Sequence, residues 1–190
     1  MPRAGLDTDA VVAAAARLAD ADGFESLTLA RIAAELGVRS PSLYAHVDGL
    51  DDVRRRLGAR GAAELAETLS RAVEGRAGFD ALHAVAHAYR DYARSHPGSY
   101  AASQRSRDLQ DDPDADAANR AAVRVALAAL RAYGLEGADA VHAVRMLRVA
   151  LHGFATLETE GGFALALSPD ETFEQLIELV DAGLRRRLES

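Results

Sequence analysis

Three side chains with metal-binding chemistry recur every four residues in the middle of the chain. A helix would place His83, His87 and Asp91 on one face, and imidazole and carboxylate groups are common ligands of divalent metal ions. The apolar stripe of the same helix lies on the opposite side and comprises Phe79, Leu82, Ala86, Tyr89 and Ala93. The row therefore faces solvent, and no second cluster along the chain completes a coordination shell. We expect no metal ion there.

Signatures of covalent or phosphate chemistry are missing from the sequence. There is no glycine-rich phosphate loop and no serine nucleophile elbow. The chain has no cysteine, which excludes disulfides and thiolate metal sites. We expect no catalytic residue, no cofactor and no enzymatic activity.

Residues 26–60 have instead the local signals of a helix-turn-helix. Thr28 can cap a first helix, and Leu27 and Ile32 occupy the two positions of a hydrophobic staple across that cap. Gly37 follows the end of this helix, where a left-handed backbone conformation favours glycine.

A second, short helix is predicted at about 41–47. Ser40 supplies a capping oxygen, and Pro41 takes the first helical position, where a missing N–H is harmless. The inward positions are Val38, Leu43 and Val47, and the outer ones are Arg39, Ser40, Ser42, Ala45 and His46. In DNA-binding helix-turn-helices the second helix enters the major groove with its N-terminal residues at the base edges, so this segment predicts a DNA interface.

Six short motifs between residues 8 and 60 have the order and spacing of a known family. They are Gly23-Phe24, Leu27-Thr28, Ile32-Ala33, Leu36-Gly37-Val38, Ser42-Leu43-Tyr44 and His46-Val47. The segment resembles the N-terminal domain of the tetracycline-repressor (TetR/AcrR) family of transcription regulators. By this resemblance, Tyr44 and His46 would contact phosphate or brace the recognition helix, and Thr28 would contact the DNA backbone. Arg39, Ser40, Ser42 and Ala45 would lie near bases.

A second resemblance lies near the C-terminus. Leu151-His152-Gly153-Phe154, Leu157-Glu158 and Gly161-Gly162-Phe163 are similar to the C-terminal domain of a family branch named for a Trp-His-Gly motif. The chain contains no tryptophan, so the motif is matched only in part.

The family resemblance also implies partners. Its members act as homodimers, bind a palindromic operator in double-stranded DNA and respond to a small-molecule effector. Polar and aromatic residues of the second domain could line the effector cavity between helices; the candidates are Tyr89, Tyr92, Tyr100, Arg105, His142, Met146 and His152.

The last two predicted helices carry long apolar faces at spacings of three and four. Two such helices from each subunit would form a four-helix dimer interface. The predicted contact residues are Leu147, Leu151, Phe154, Phe173, Leu176, Ile177, Val180 and Leu184.

Helical periodicity extends over nearly the whole chain, and no stretch alternates with the period of a strand. Besides the two short helices, helices are predicted at about 7–23, 50–75, 79–95, 114–133, 138–160 and 169–188, the last beginning with Ser168-Pro169-Asp170-Glu171, a capping box. Residues 105–117 have little to bury and predict a mobile loop. We expect an all-α fold of about nine helices, with a three-helix helix-turn-helix domain at 1–50 and a helical effector-binding and dimerisation domain at 51–190.

The numbers of acidic and basic residues do not predict a strongly basic DNA-binding surface. The chain has 22 Arg, no Lys and 29 acidic residues, a net charge of −7, and residues 1–60 contain eight Arg against nine acids. Operator affinity should therefore depend weakly on salt. Asp51 and Asp52 are interpreted as ordinary first-turn residues of a helix.

Two classes of function follow from the sequence. The first is a cytoplasmic, ligand-responsive DNA-binding regulator, expected to be a repressor, since no signal peptide or membrane span is evident. The second is a helical small-molecule-binding protein, or a metal-dependent enzyme, that keeps the scaffold without useful DNA binding.

Overall fold

A computed structural model describes residues 6–105 and 112–186, and these are almost entirely helical, with no strand among them. The α-helices are α1 (Thr8–Asp22), α2 (Leu29–Glu35), α3 (Leu50–Val73), α4 (Gly78–Ser95), α5 (Pro97–Ser103), α6 (Pro113–Leu130), α7 (Gly137–Thr159) and α8 (Pro169–Arg186). Short 3₁₀ helices cover Phe24–Ser26, Ser40–Ala45 and Arg131–Tyr133. The predicted all-α fold is confirmed.

The chain forms two compact units. The first contains the described residues up to Glu64 together with those from Ser95 to Ala118, and the second contains Leu65–Arg94 and the described residues from Asn119 onward. The functional division predicted at residue 50 remains a prediction. The compact units are not continuous in sequence, because α3 begins in the first unit and ends in the second, and α5 belongs to the first.

The core of the first unit is built from α1, α2 and the segments that follow them. Val11, Ile32, Leu43 and Leu57 are completely buried there. Asp7 caps α1 by accepting a hydrogen bond from the N–H of Ala10 at 2.7 Å. The hydroxyl of Thr8 donates to the carbonyl of His46 at 2.8 Å, and this bond fixes the end of the second helix-turn-helix segment to the start of α1.

Helix α5 was not predicted, because no helix was expected between those at about 79–95 and 114–133. In the structure Pro97 begins a new helix against α1. Asp20 of α1 accepts a hydrogen bond from the N–H of Ser99 at 2.8 Å, which satisfies a free N–H in the first turn of α5.

The prediction of a loop over residues 105–117 is partly wrong. Residues 106–111 lie outside the described part of the chain, but α6 already begins at Pro113. Asp112 caps that helix through hydrogen bonds from the N–H groups of Asp114 and Ala115, at 3.1 and 3.0 Å. Its other oxygen accepts from the guanidinium of Arg55, so this buried aspartate has a partner that sequence spacing did not indicate.

In the second unit, an arginine is buried between α4, α7 and the start of α8. Arg90 donates to Glu158, with a 2.8 Å bond from Nε, and to Asp170 at 2.6 Å. Its guanidinium also lies over the rings of Phe154 and Phe173, 5.2 and 4.7 Å from their centroids. The hydrogen bonds of Glu158 raise the pKa of Arg90 although burial opposes this. The cation is therefore permanently charged and holds three helices together.

No described helix combines the length and the apolar character needed to cross a lipid bilayer.

Candidate nucleic-acid interface

The first helix of the predicted helix-turn-helix has the expected ends. Thr28 is the N-cap of α2, and its hydroxyl accepts a hydrogen bond from the N–H of Arg31 at 3.2 Å. Leu27 and Ile32 are both buried. After the helix, Gly37 has a φ of 68°, a left-handed conformation that glycine adopts without strain.

The second helix differs from the prediction in its type and its cap. Residues 40–45 form a 3₁₀ helix, which we call the recognition segment. Arg39, and not Ser40, occupies the N-cap position, with an extended backbone and no capping bond from its side chain. Pro41 lies in the first turn as predicted. Leu43 within the segment and Val47 just after it are buried in the core, whereas Pro41, Ser42, Tyr44 and Ala45 are exposed.

The predicted DNA-binding residues are accessible on this part of the molecule. Thr28, Arg39, Ser42, Tyr44 and Ala45 are exposed, and Ser40 and His46 are half-buried. Tyr44 is 62% exposed, although an aromatic ring gains more by burial than by contact with water. Their roles toward DNA remain predictions, and the structure shows that none of the seven is buried.

Arginine pairing distinguishes Arg39 from its neighbours. The structure describes seven arginines before residue 61, and six of them form ion pairs with carboxylates. The paired residues are Arg17, Arg31, Arg54, Arg55, Arg56 and Arg60. Within this described stretch, Arg39 is the arginine with no carboxylate partner. It also adjoins the recognition segment, where a cation can meet a phosphate or a guanine.

The acidic residues near the start of α3 are partly neutralised. Asp51 and Asp52 lie in the first turn, as interpreted from the sequence. Asp52 accepts hydrogen bonds from Arg55, Arg56 and the N–H of Asp48, at 2.6, 3.0 and 3.2 Å. Burial raises the pKa of Asp52, but these hydrogen bonds outweigh it and leave the pKa below its ordinary value.

The predicted effector-binding residues are divided between the two units, and their role toward an effector remains a prediction. Tyr100 and Arg105 belong to the first unit, and the other five belong to the second. The guanidinium of Arg105 pairs with Glu25 and lies 4.7 Å from the centroid of the Phe24 ring. The tyrosines Tyr89, Tyr92 and Tyr100 are buried, and His142 and Met146 are exposed. Burial lowers the pKa of His152, and the charge of Arg148 lowers it further.

Most of the predicted dimer residues are buried within the chain itself. Six of the eight are buried: Leu147, Leu151, Phe154, Phe173, Ile177 and Leu184. Leu176 and Val180 are half-buried. These six therefore belong to the core of the second unit and do not offer a surface to a partner. Periodicity located the apolar helices correctly but could not show which face the chain covers.

Another face of α7 and α8 is both apolar and exposed. On α7 it carries Met146, Val149 and Leu157, and on α8 it carries Leu179, with exposures of 47, 73, 50 and 65%. Exposed apolar residues that follow helical spacing in this way are typical of a surface covered by a partner.

The sequence predicted that His83, His87 and Asp91 lie together on a solvent-facing side of α4, but the structure brings the two histidines to a carboxylate of another helix. His83 and His87 are half-buried, and the carboxylate that approaches both of them belongs to Glu174 of α8. Asp91 is exposed and is not part of this group. Glu174 was missed because it lies 91 residues from His83 along the chain. Arg90 was missed for the same reason, since its acidic partners are distant in sequence.

Comparison with known proteins agrees with this fold. Residues 11–48 match the family described as bacterial regulatory proteins, tetR family, and residues 82–180 match a tetracyclin repressor-like C-terminal domain. The second match covers the partial Trp-His-Gly motif; assignment to that branch remains a prediction.

Two relatives match nearly the whole chain. The uncharacterized HTH-type transcriptional regulator Rv0681 of Mycobacterium tuberculosis is 39% identical over 97% of this chain and 84% of its own length. The uncharacterized HTH-type transcriptional regulator YobS of Bacillus subtilis is 34% identical over 97% of this chain and 92% of its own length. A solved structure of BioQ with its natural double-stranded DNA operator has a TM-score of 0.70 and 27% identity, covering 95% of this chain and 99% of that one.

These matches define a helix-turn-helix transcription regulator. The chain belongs to the tetR family of bacterial regulatory proteins.

Proposed function

We propose that this regulator is a homodimeric repressor that binds a palindromic operator through its two recognition segments. The observation that carries the proposal is Arg39, which is exposed beside the recognition segment and has no carboxylate partner. The other described arginines before residue 61 are held in ion pairs. Arg39 is thus the cation of this stretch that can bind DNA without first breaking an ion pair. BioQ, which is similar to this chain, was solved with its operator.

A homodimer is supported by the short length of the recognition segment and by two glycines. Six residues in one segment contact too few bases for a specific site, whereas a twofold pair spans two half-sites. Gly153 and Gly183 lie inside α7 and α8, and a Cβ added to either one would have no atom of this chain within 4 Å. Glycine inside a helix is unfavourable, and its use here favours close approach of helices from a second copy.

We assign operator binding to residues 1–50 and effector binding with dimerisation to residues 51–190. The effector would be a small molecule held in the second unit, where Tyr89 and Tyr92 provide buried aromatic rings. The proposal of a small-molecule effector rests on the response to such molecules that is typical of the family. A regulator of chromosomal DNA acts in the cytoplasm, which we propose as its location.

Fluorescence anisotropy with labelled DNA from upstream of the gene tests operator binding. We expect the chain to prefer this DNA over random duplex at physiological salt. Arg39→Ala should weaken specific binding by roughly tenfold or more, because an arginine contact to a base contributes about 1–3 kcal/mol. Tyr44→Phe should weaken it less.

Arg71→Ala is the matched control, since Arg71 is an exposed arginine paired with Glu67 on α3, far along the chain from the recognition segment. It should bind as the wild type does. Equal affinity for random and upstream DNA, together with no effect of Arg39→Ala, would contradict the proposal. Transcription from the same promoter in vitro, with and without the protein, distinguishes repression from activation.

A further inference from the structure

Two histidines and a carboxylate from different helices converge at one point of the second unit. Nε2 of His83 lies 3.0 Å from one oxygen of Glu174, and Nε2 of His87 lies 2.8 Å from the other. One ligand atom from each of the three side chains lies within 4.8 Å of the other two. We propose that His83, His87 and Glu174 form a binding site for a divalent transition-metal ion, with zinc as the best match.

The donor set is the chemical argument for zinc. Neutral imidazole nitrogens and a carboxylate oxygen suit this ion, which they bind at about 2.0–2.2 Å in a tetrahedron. Ligand atoms at that distance are about 3.4 Å apart, which is only a few tenths of an ångström more than the two nitrogen–oxygen distances observed. Small rotations of the side chains would therefore admit the ion without moving a helix.

Neighbouring rings hold the two imidazoles in place. The ring centroids of His83 and His87 are 4.3 Å apart. Phe79 packs beside His83 at 5.8 Å, and Phe173 contacts His87 edge to face at 5.3 Å. The spacing of four residues on α4 gives both nitrogens the same direction, so the ligands are arranged before any ion arrives.

The site is accessible to ions from solvent. The three side chains are 40, 33 and 48% exposed. Three protein ligands leave the fourth tetrahedral position to water. Because Glu174 lies on α8 and the histidines lie on α4, the ion would join these two helices within the second unit. Its binding would be reversible and would stabilise that unit.

The experiment uses the full chain without an affinity tag, dialysed against a chelator. Zinc is titrated in competition with a chromogenic chelator, and Co²⁺ is titrated separately because its visible absorption reports tetrahedral coordination. We expect one bound ion per chain, a tetrahedral Co²⁺ spectrum and a higher melting temperature with zinc. His83→Gln, His87→Gln and Glu174→Gln should each weaken binding by roughly tenfold or more.

The matched controls are His142→Gln on α7 and Glu178→Gln one turn beyond Glu174 on α8. Both residues are exposed, and both variants should bind zinc as the wild type does. Circular dichroism and melting without metal check that every variant is folded. If the folded wild-type chain binds no zinc or cobalt, or if the three site variants bind as tightly as the controls do, the proposal is wrong. DNA binding plays no part in this test, so its outcome is independent of the proposed repressor function.

Discussion

Gly98 lies against Ala19 so closely that no side chain fits between them. A Cβ added to Gly98 would be 2.1 Å from the carbonyl carbon of Ala19 and 2.2 Å from its oxygen. Both atoms belong to the backbone of α1, which cannot rotate away as a flexible side chain would. The same approach allows Asp20 to accept the N–H of Ser99. Glycine at position 98 is therefore a condition for α5 to pack on α1.

We expect Gly98→Ala to destabilise the first unit by about 3 kcal/mol or more, because overpacking against a rigid backbone forces whole helices apart. Urea unfolding followed by circular dichroism measures the change. Since the chain has two compact units, the transition need not be two-state, and the midpoint of the earlier transition is the quantity to compare.

Ala101→Ser is the control for this substitution. It also enlarges a side chain of α5 by one heavy atom, but Ala101 is exposed, so stability should change by less than about 0.5 kcal/mol. Equal destabilisation by the two variants would show that the close contact between α1 and α5 is not the cause.

The sequence predicted elements whose ends depend on nearby residues. Thr28 caps a helix through Arg31, three residues away, and Gly37 ends the same helix by its own backbone conformation. In such interactions both partners are close together along the chain, so they can be predicted from the sequence alone. The exposed position of Arg39 beside the recognition segment followed from the same local rules.

Other features depend on residues that are distant in the chain. The first turn of α5 is completed by Asp20, 79 residues from Ser99, and the histidines of α4 meet Glu174 only after the fold has formed. Periodicity also could not tell which apolar face of α7 the chain itself covers. Leu151 and Val149 have similar side chains, yet the first is 4% exposed and the second is 73% exposed.

The ion pair of Asp112 and Arg55 should make stability depend on pH. Burial raises the pKa of Asp112, but hydrogen bonds from Ala115 and Arg55 outweigh it and lower the pKa overall. A carboxylate with a lowered pKa in the folded state stabilises the fold above its unfolded pKa of about 3.9, and this contribution is lost as the pH falls through the folded value. Asp112→Asn should therefore cost about 1–2 kcal/mol at pH 7, and its difference from the wild type should shrink below about pH 4.

Urea unfolding at several pH values between about 7 and 3 measures this difference. Asparagine remains a good N-cap, so Asp112→Asn removes the charge and keeps the cap of α6, whereas Asp112→Ala removes both and should cost about 1 kcal/mol more. A difference between wild type and Asp112→Asn that stays constant over the whole pH range would contradict the ionic explanation.

Glu158 should contribute much more than Asp170 to the stability of the second unit, because it is the main partner of the buried Arg90. Glu158 is 16% exposed and binds Arg90 through two nitrogens, whereas Asp170 is 74% exposed. Glu158→Gln leaves a buried cation without its main counter-charge and should destabilise the second unit by about 3 kcal/mol. Asp170→Asn, the matched control, should cost less than about 1 kcal/mol. Thermal unfolding measures both, and equal effects would contradict the predicted dominance of Glu158.

The exposed face of α7 and α8 predicts which substitutions separate the proposed dimer. Val149→Glu places a charge in the middle of this face and should convert the dimer to monomer, because a buried unpaired charge is strongly unfavourable. Gly183→Leu should have the same effect by keeping the partner helix at a distance. Light scattering after size-exclusion chromatography measures the mass.

Leu165→Glu is the control for Val149→Glu, since Leu165 is 80% exposed and lies between α7 and α8, outside both helices. It should remain dimeric. Monomeric variants should also lose operator affinity, because one recognition segment binds one half-site only. If Val149→Glu has the same molar mass in solution as a dimeric wild type, the dimer contact must lie on another surface.

Operator affinity should change little with salt, since Arg39 is the only described arginine before residue 61 with no ion pair. Each neutralised phosphate contributes about 0.9 to the slope of log K against log salt. Few contacts from each copy predict a slope of about −2 to −4 for a dimer. If Arg39 binds a base edge, Arg39→Ala should leave this slope nearly unchanged, whereas loss of a phosphate contact would reduce its magnitude by about 1.8, or 0.9 from each copy. Anisotropy titrations over a series of NaCl concentrations measure the slope. A slope near −10 would require several phosphate-binding cations from each copy, and the ion pairs of Arg54, Arg55 and Arg56 would then have to open on DNA.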